Sequence, residues 1–330
     1  MKKLLCIALV VCFLLCGCTT AAPEVTEEPA VVEEATTIRV GGLTGPTSMG
    51  MVKLMSDSDA GNTENSYEFT LQSEATAFAP ALTKGEIDIA AVPANLASVI
   101  YNNTQGGVKV LAVNTLGVLY IVERGDTVQS LEDLAGKTVY ATGAGASPEY
   151  ALRYLMSQKG LDVDADMNVQ WCSDTTEALS YIAKDANAVA MLPQPFVTAA
   201  QAQVEGLRVA LDLNAEWSAL DNGSIMVTGV LVVRSEFAEQ YPQQLETFMK
   251  EYEASVNFVT ENNEEAAELI GGYEIVKTPI ALKALPFCNI TFLAGADMQT
   301  YLEAYLNVLL SYNPAAVGGA LPQSDFYYGA

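Results

Sequence analysis

Ile38-Arg39-Val40-Gly41-Gly42-Leu43-Thr44-Gly45-Pro46-Thr47-Ser48-Met49 begins as an apolar strand, turns through glycine and proline, and enters a helical pattern expected near Met49 to Met55. The pattern recurs outward from there. Tyr67 to Leu71, Ile87 to Val92 and Val108 to Val113 read as further strands, with helices at about Ala75 to Lys84 and Ala94 to Tyr101 between them. A second block repeats the unit: Lys137 to Ala141, a turn at Thr142 to Ala146, and a helix from Pro148 to about Lys159. Val169 to Cys172, Ala188 to Leu192 and Leu207 to Leu211 follow as strands, separated by helical patterns at Thr175 to Lys184 and Phe196 to Val204. Strands alternating with helices predict the α/β class, with parallel sheets covered by helices.

Two glycine-led strands, Gly117 to Val122 and Gly229 to Val233, echo each other at the edges of the second block. They mark where the chain is expected to leave the first block and return to it. After Arg234 the pattern is mostly helical: Pro242 to Thr260, Asn263 to Ile270, Pro279 to Leu285 and Ala296 to Leu310, packed around the first block. The aromatic end, Asp325-Phe326-Tyr327-Tyr328, is expected to dock.

The amino terminus speaks to compartment. Met1-Lys2-Lys3 precedes an apolar run from Leu4 to Leu15, too short to span a bilayer. It ends in Leu15-Cys16-Gly17-Cys18, which resembles the lipobox of bacterial lipoprotein signals. That resemblance implies lipidation at Cys18, a signal over residues 1–18 and a chain anchored on the extracytoplasmic face of the cell membrane. An ordinary secretory cleavage site needs small residues in the right place, and Ala21-Ala22 lies beyond a polar break. Residues 19–37 carry Pro23, Pro29 and five glutamates without apolar periodicity, and read as a disordered tether. The rest is too long for one typical core and suits two lobes.

The formal charge is −24, and becomes −26 once Lys2 and Lys3 leave with the signal. Such a surface repels phosphate backbones, so no nucleic-acid partner is expected. Outside the signal and Cys18 only Cys172 and Cys288 remain, which implies no disulfide framework; two buried free thiols are expected. The chain has no histidine, which excludes Ser-His-Asp and Cys-His catalysis and histidine-ligated metal. Neither an enzyme nor a cofactor is expected.

Several segments together resemble the nitrate, sulfonate and thiamine-precursor group of ABC substrate-binding proteins. They are Ile38 to Gly41 with its Gly-Pro-Thr turn, Leu82-Thr83-Lys84-Gly85-Glu86-Ile87-Asp88-Ile89-Ala90, Leu131 to Lys137, Leu192-Pro193-Gln194-Pro195-Phe196 and Asp325 to Tyr328. The resemblance covers the mature chain and implies the type II periplasmic-binding-protein fold, two doubly wound lobes joined by two hinge segments. It places lobe one at 38–126 and 228–330 and lobe two at 127–227. It also implies a monomer that takes a small molecule and hands it to an ABC permease. Members of the group usually carry Glu where Gln194 stands, so one charge is missing from the cleft.

Ligands of open α/β sheets sit beyond the carboxyl ends of the strands, near helix amino termini. The candidate contacts are therefore Thr44, Gly45, Pro46, Thr47, Ser48, Met49, Asn95, Asn114 and Thr115 in lobe one, and Gly145, Ala146, Ser147 and Gln194 in lobe two. Thr47 or Ser48 could cap a helix, as could Ser147 ahead of Pro148 at a first helical position, and such capping needs no ligand. Asn95 and Asn114 could equally satisfy loop backbone. Phe78, Tyr101, Tyr120, Phe196 and Trp217 are weighed first as core. No candidate loop carries Arg or Lys, which favours a neutral or singly negative ligand, an alkyl sulfonate or a thiamine-type pyrimidine leading. A ligand-sensing subunit and an enzyme of thiamine-precursor metabolism on the same fold remain the alternatives.

Overall fold

A computed structural model describes residues 36–330. The expected signal, the lipidated Cys18 and nearly all of the expected tether lie outside the described residues. Eleven strands are present among those described: β1 (Thr37–Leu43), β2 (Ser66–Gln72), β3 (Ile89–Pro93), β4 (Val108–Leu116), β5 (Leu119–Glu123), β6 (Thr138–Ala141), β7 (Asn168–Trp171), β8 (Val189–Pro193), β9 (Arg208–Asp212), β10 (Val227–Arg234) and β11 (Ile290–Ala294).

They form a six-stranded sheet ordered β11-β4-β10-β3-β1-β2 and a five-stranded sheet ordered β7-β6-β8-β5-β9. Each sheet contains a parallel trio, β2-β1-β3 in the first and β7-β6-β8 in the second. Beside each trio lies one antiparallel strand, β10 in the first sheet and β5 in the second. The wholly parallel sheets expected from the sequence are thus corrected to mixed ones. The strand that enters each trio antiparallel comes from one of the two glycine-led segments, so the echo reflects equivalent places in the two sheets. Both β3 and β8 are buried at all but their last residue, as continuous apolar strands covered on both faces should be.

Sheet membership changes at residues 117–118, between β4 and β5, ahead of the expected boundary at 126/127. The chain returns through residues 213–226. β11 lies in a stretch read as helical; five residues between two helices carry too little periodicity to announce a strand. The helix expected at Met49 to Met55 is two, Pro46–Met49 and Val52–Asp59. The described residues, 36–330, form one compact unit.

One apolar cluster runs through both halves, from Val92 and Phe78 to Ile121, Leu152 and Trp217. A second lies on the opposite face of the six-stranded sheet, around Ile38, Val40, Leu231, Phe248 and Tyr252. The long helix Gly295–Tyr312 departs from the expectation that the late helices serve only the first block. Its Tyr305 ring lies 5.6 Å from Trp217, which itself lies 4.6 Å from Tyr154 on the helix Ser147–Gln158. The carboxyl end docks as expected: Phe326 is buried, and Tyr101 donates a hydrogen bond to Asp325. Cys172 and Cys288 are both free and buried. Burial pushes the Cys288 thiol up to about 12, which leaves it inert at neutral pH.

Candidate functional site

A cleft of about 300 Å³ opens where the carboxyl ends of strands from both sheets meet. From the six-stranded half it is bordered by Thr44, Gly45, Pro46, Thr47, Asn95 and Thr228, and from the five-stranded half by Ala146, Ser147, Pro193, Gln194 and Phe196. These positions follow from the local folding. β1 and β3 run side by side in parallel, so the turn after β1 and the helix Ala94–Thr104 after β3 emerge at the same edge. β6 and β8 do the same in the other half, delivering the helix Ser147–Gln158 and the Gln194 turn.

Thr47 is the best-supported polar group at this surface. It is 5 % exposed, and its hydroxyl Oγ1 has no hydrogen-bond partner within the protein. Gly229 makes room for it, since a Cβ there would come within 2.5 Å of the Thr47 methyl. Gly45 leaves open space: a Cβ at that position would meet no protein atom within 4 Å.

Ser147 and Asn95 meet across the cleft. The Ser147 hydroxyl donates to Asn95 Oδ1 at 3.0 Å, and Asn95 Nδ2 donates to the carbonyl of Ala316 at 3.3 Å. Ser147 is the first residue of its helix and Ala146 the cap, so the expected capping role is replaced by this bridge and Pro148 moves to the second helical position. Gln194 is buried, and its Oε1 accepts from the hydroxyl of Thr198 at 2.9 Å. A neutral amide therefore occupies the place where the resembled group carries a carboxylate.

Five expected contacts do not border the cleft. Ser48 and Met49 lie on the same short helix as Thr47 but face the interior; Met49 packs with Ile270 and Ala281, and the Ser48 hydroxyl faces Gly42. Successive helical residues point about 100° apart, so one turn cannot present all its side chains to one guest. Neither Thr47 nor Ser48 caps the helix; Gly45 stands at its cap. Asn114 and Thr115 are fully buried in β4. Asn114 Nδ2 donates to the Thr47 carbonyl at 2.9 Å and to the Tyr252 hydroxyl at 3.3 Å, so it holds the cleft wall from behind. Gly145 is exposed, and its N–H is taken by Glu149 Oε2 at 2.6 Å.

The sequence reading missed Tyr305, Met226, Thr228, Ser73 and Val118, which also line the cleft. Tyr305 sits mid-helix in an apolar pattern and gave no signal distinct from core packing. Burial pushes its phenol up to about 12 against a hydrogen bond with Ser147, so it stays neutral at the cleft wall. Of the aromatics weighed as core, Phe78, Tyr101, Tyr120 and Trp217 are buried, whereas Phe196 is 47 % exposed and lines the cleft.

Among solved structures, an ABC transporter protein from Parabacteroides distasonis is 23% identical with a TM-score of 0.74, covering 88% of this chain and 98% of its own. The periplasmic aliphatic sulphonate binding protein of Escherichia coli is 16% identical with a TM-score of 0.69, covering 87% and 92%. The alkanesulfonate-binding protein of Xanthomonas axonopodis pv. citri, solved with MOPS, is 12% identical with a TM-score of 0.64, covering 88% and 96%. At these identities the likeness establishes the shared periplasmic-binding-protein fold. No curated protein sequence matches the chain. A family model described as ABC transporter, phosphonate, periplasmic substrate-binding protein matches residues 61–277, about two thirds of the chain. With paired sheets, a cleft between them and that match, this chain belongs to the phosphonate-type family of periplasmic substrate-binding proteins, the non-enzymatic, ligand-capturing components of ABC importers.

Proposed function

We propose that the cleft captures a small organic molecule, neutral or singly negative, of the sulfonate or thiamine-pyrimidine kind, and delivers it to an ABC permease from a lipid-anchored position outside the cell. The observation that carries this reading is the convergence of both halves on one cleft, with the Thr47 hydroxyl buried there and unpartnered. A native buried hydroxyl without a partner costs about 1–3 kcal/mol, and a ligand that pairs with it recovers much of that. Thr44, Gly45, Pro46, Thr47, Asn95, Ala146, Ser147 and Gln194 are the residues proposed to border the guest. The two lobes follow the two sheets, and the molecule acts as a monomer. Cys18 carries the anchor and residues 19–37 tether the body to it. Among the described residues no helix is long and apolar enough to cross a membrane.

A thermal-shift panel of the chain from residue 19 onward tests the reading, with sulfonates, taurine, nitrate, thiamine pyrimidines, riboflavin, amino acids and phosphonates. A ligand at one hundred times its Kd stabilises by about 2.7 kcal/mol, which raises Tm by several degrees in a chain of this size. Turnover of a panel compound without any stabilising ligand would end the receptor reading. For the anchor, Cys18→Ala is expected to move the protein from the membrane to the soluble fraction, because each acyl CH₂ contributes about 0.8 kcal/mol of membrane affinity. A variant that stays wholly with the membrane removes Cys18 as the lipidation site.

A further inference from the structure

Four prolines border the cleft: Pro46 at the first position of its helix, Pro93 at the cap of Ala94–Thr104, Pro148 at the second position of Ser147–Gln158, and Pro193 at the end of β8. Oxyanions are commonly held at such sites by free backbone N–H groups, and proline has none. Pro46 and Pro148 thus each remove one N–H from the first turn of their helix, one in each half. The glycine turn of the second half offers no substitute, because the N–H of Gly145 already donates to Glu149, a carboxylate of the chain itself.

Charged side chains do not fill the gap. None of the residues that line the cleft is Arg, Lys, Asp or Glu. Arg39 and Arg234 are committed to Asp88, Arg153 to Glu149 and Asp164, and Arg208 to Glu123. The amide oxygens of Asn95 and Gln194 are likewise engaged, by Ser147 and Thr198. What remains is an apolar body of space between Leu43, Val118, Leu119, Ala151, Met226 and Phe196, with only neutral polar groups at its wall: Thr44, Ser73, Thr228, the Gln194 amide and the unpartnered hydroxyl of Thr47.

We infer that this cleft selects an uncharged molecule with an apolar body and one polar end set against Thr47, and that it turns away the phosphonate dianion for which its family is named. The inference rests on the cleft being the ligand site and narrows the two proposed ligand kinds to the uncharged one. A dianion entering here sheds its hydration without meeting a counter-charge, and that cost is not repaid by neutral donors alone. An uncharged guest loses little water, covers apolar wall and satisfies the orphan hydroxyl, which can donate or accept.

Matched triplets decide the matter: benzamide, benzenesulfonate and phenylphosphonate, then hexanamide, hexanesulfonate and hexylphosphonate. Binding is measured by isothermal titration calorimetry and by protein NMR on the chain from residue 19 onward, which keeps every described residue, 36–330. The amide of each triplet is expected to bind at least about tenfold tighter than its charged partners, and Thr47→Val to weaken the amide by about two- to tenfold. Equal or tighter binding of a phosphonate or sulfonate overturns the inference while leaving the receptor reading in place. An amide affinity untouched by Thr47→Val overturns the assigned contact. Failure of every triplet member to bind overturns the inference as well, and the receptor reading then stands or falls on the broader panel.

Discussion

Asp88 lies just ahead of β3, almost fully buried, and ties three strands together. It accepts from Arg39 Nε at 2.8 Å, Arg39 Nη2 at 2.7 Å and Arg234 Nη2 at 2.9 Å. Burial pushes its carboxyl up, but the hydrogen bonds from the two guanidinium groups outweigh this and hold it below the usual carboxylate range. Because the folded-state pKa is the lower one, the contribution to stability is present above the unfolded pKa and is lost as pH falls through the folded one. Arg234 is the less exposed partner, and the contact with half-exposed Arg39 is discounted for solvent screening. Asp88→Asn is therefore expected to lower stability by about 1–3 kcal/mol at neutral pH, with the gap to the parent closing at acid pH, as pH falls through the lowered pKa of the folded carboxyl. Denaturant melts at the two pH values check it; equal stability at neutral pH would remove Asp88 as a structural tie. In the sequence this residue stood only within a family-like segment, since a strand-edge aspartate looks the same whether it clamps or solvates. The cleft was more legible. Turns after β1, β3, β6 and β8 were placed correctly, because loop position follows from strand order. Which side chain of each turn faces inward depends on helical phase, and so Ser48 and Met49 were misplaced.

At the scale of the elements, apolar runs and glycine turns located ten of the eleven strands. Strand direction was not legible, because the alternation of side chains along a strand is the same whichever way it runs. β5 and β10 could be known as antiparallel only from the crossing of the chain between sheets. Two glycines in the six-stranded sheet have a structural reason that the sequence did not disclose. A Cβ at Gly42 would stand 2.2 Å from Ser48 Oγ, and one at Gly229 would stand 2.6 Å from Asn114 Oδ1. Both absences let the short helix Pro46–Met49 sit down on β1 and β10. β11 escaped because it is a short edge strand inside a helical region.

For the whole molecule, the described arrangement brings the halves into contact over the cleft through Ser147 and Asn95. On the other side of Gln194, the Tyr120 hydroxyl donates to the Phe287 carbonyl at 2.9 Å, again joining strand β5 to the six-stranded half. Asn313 Nδ2 also donates to the Tyr150 hydroxyl at 2.8 Å, and the chain crosses between the halves at residues 117–118 and 213–226. In solution without ligand the radius of gyration is expected to exceed that of this arrangement, and to fall when the ligand chosen by the panel saturates the protein. An X-ray scattering profile that does not change on saturation would contradict closure. The two walls of the cleft also differ in how freely they can change over generations. Position 47 is wedged by Gly229 and held from behind by Asn114, which in turn meets Tyr252, so a new side chain there disturbs several neighbours at once. Phe196, by contrast, is half in solvent. Descendants of this protein that acquire a different diet have their cheapest route through the second wall, with the first kept as inheritance.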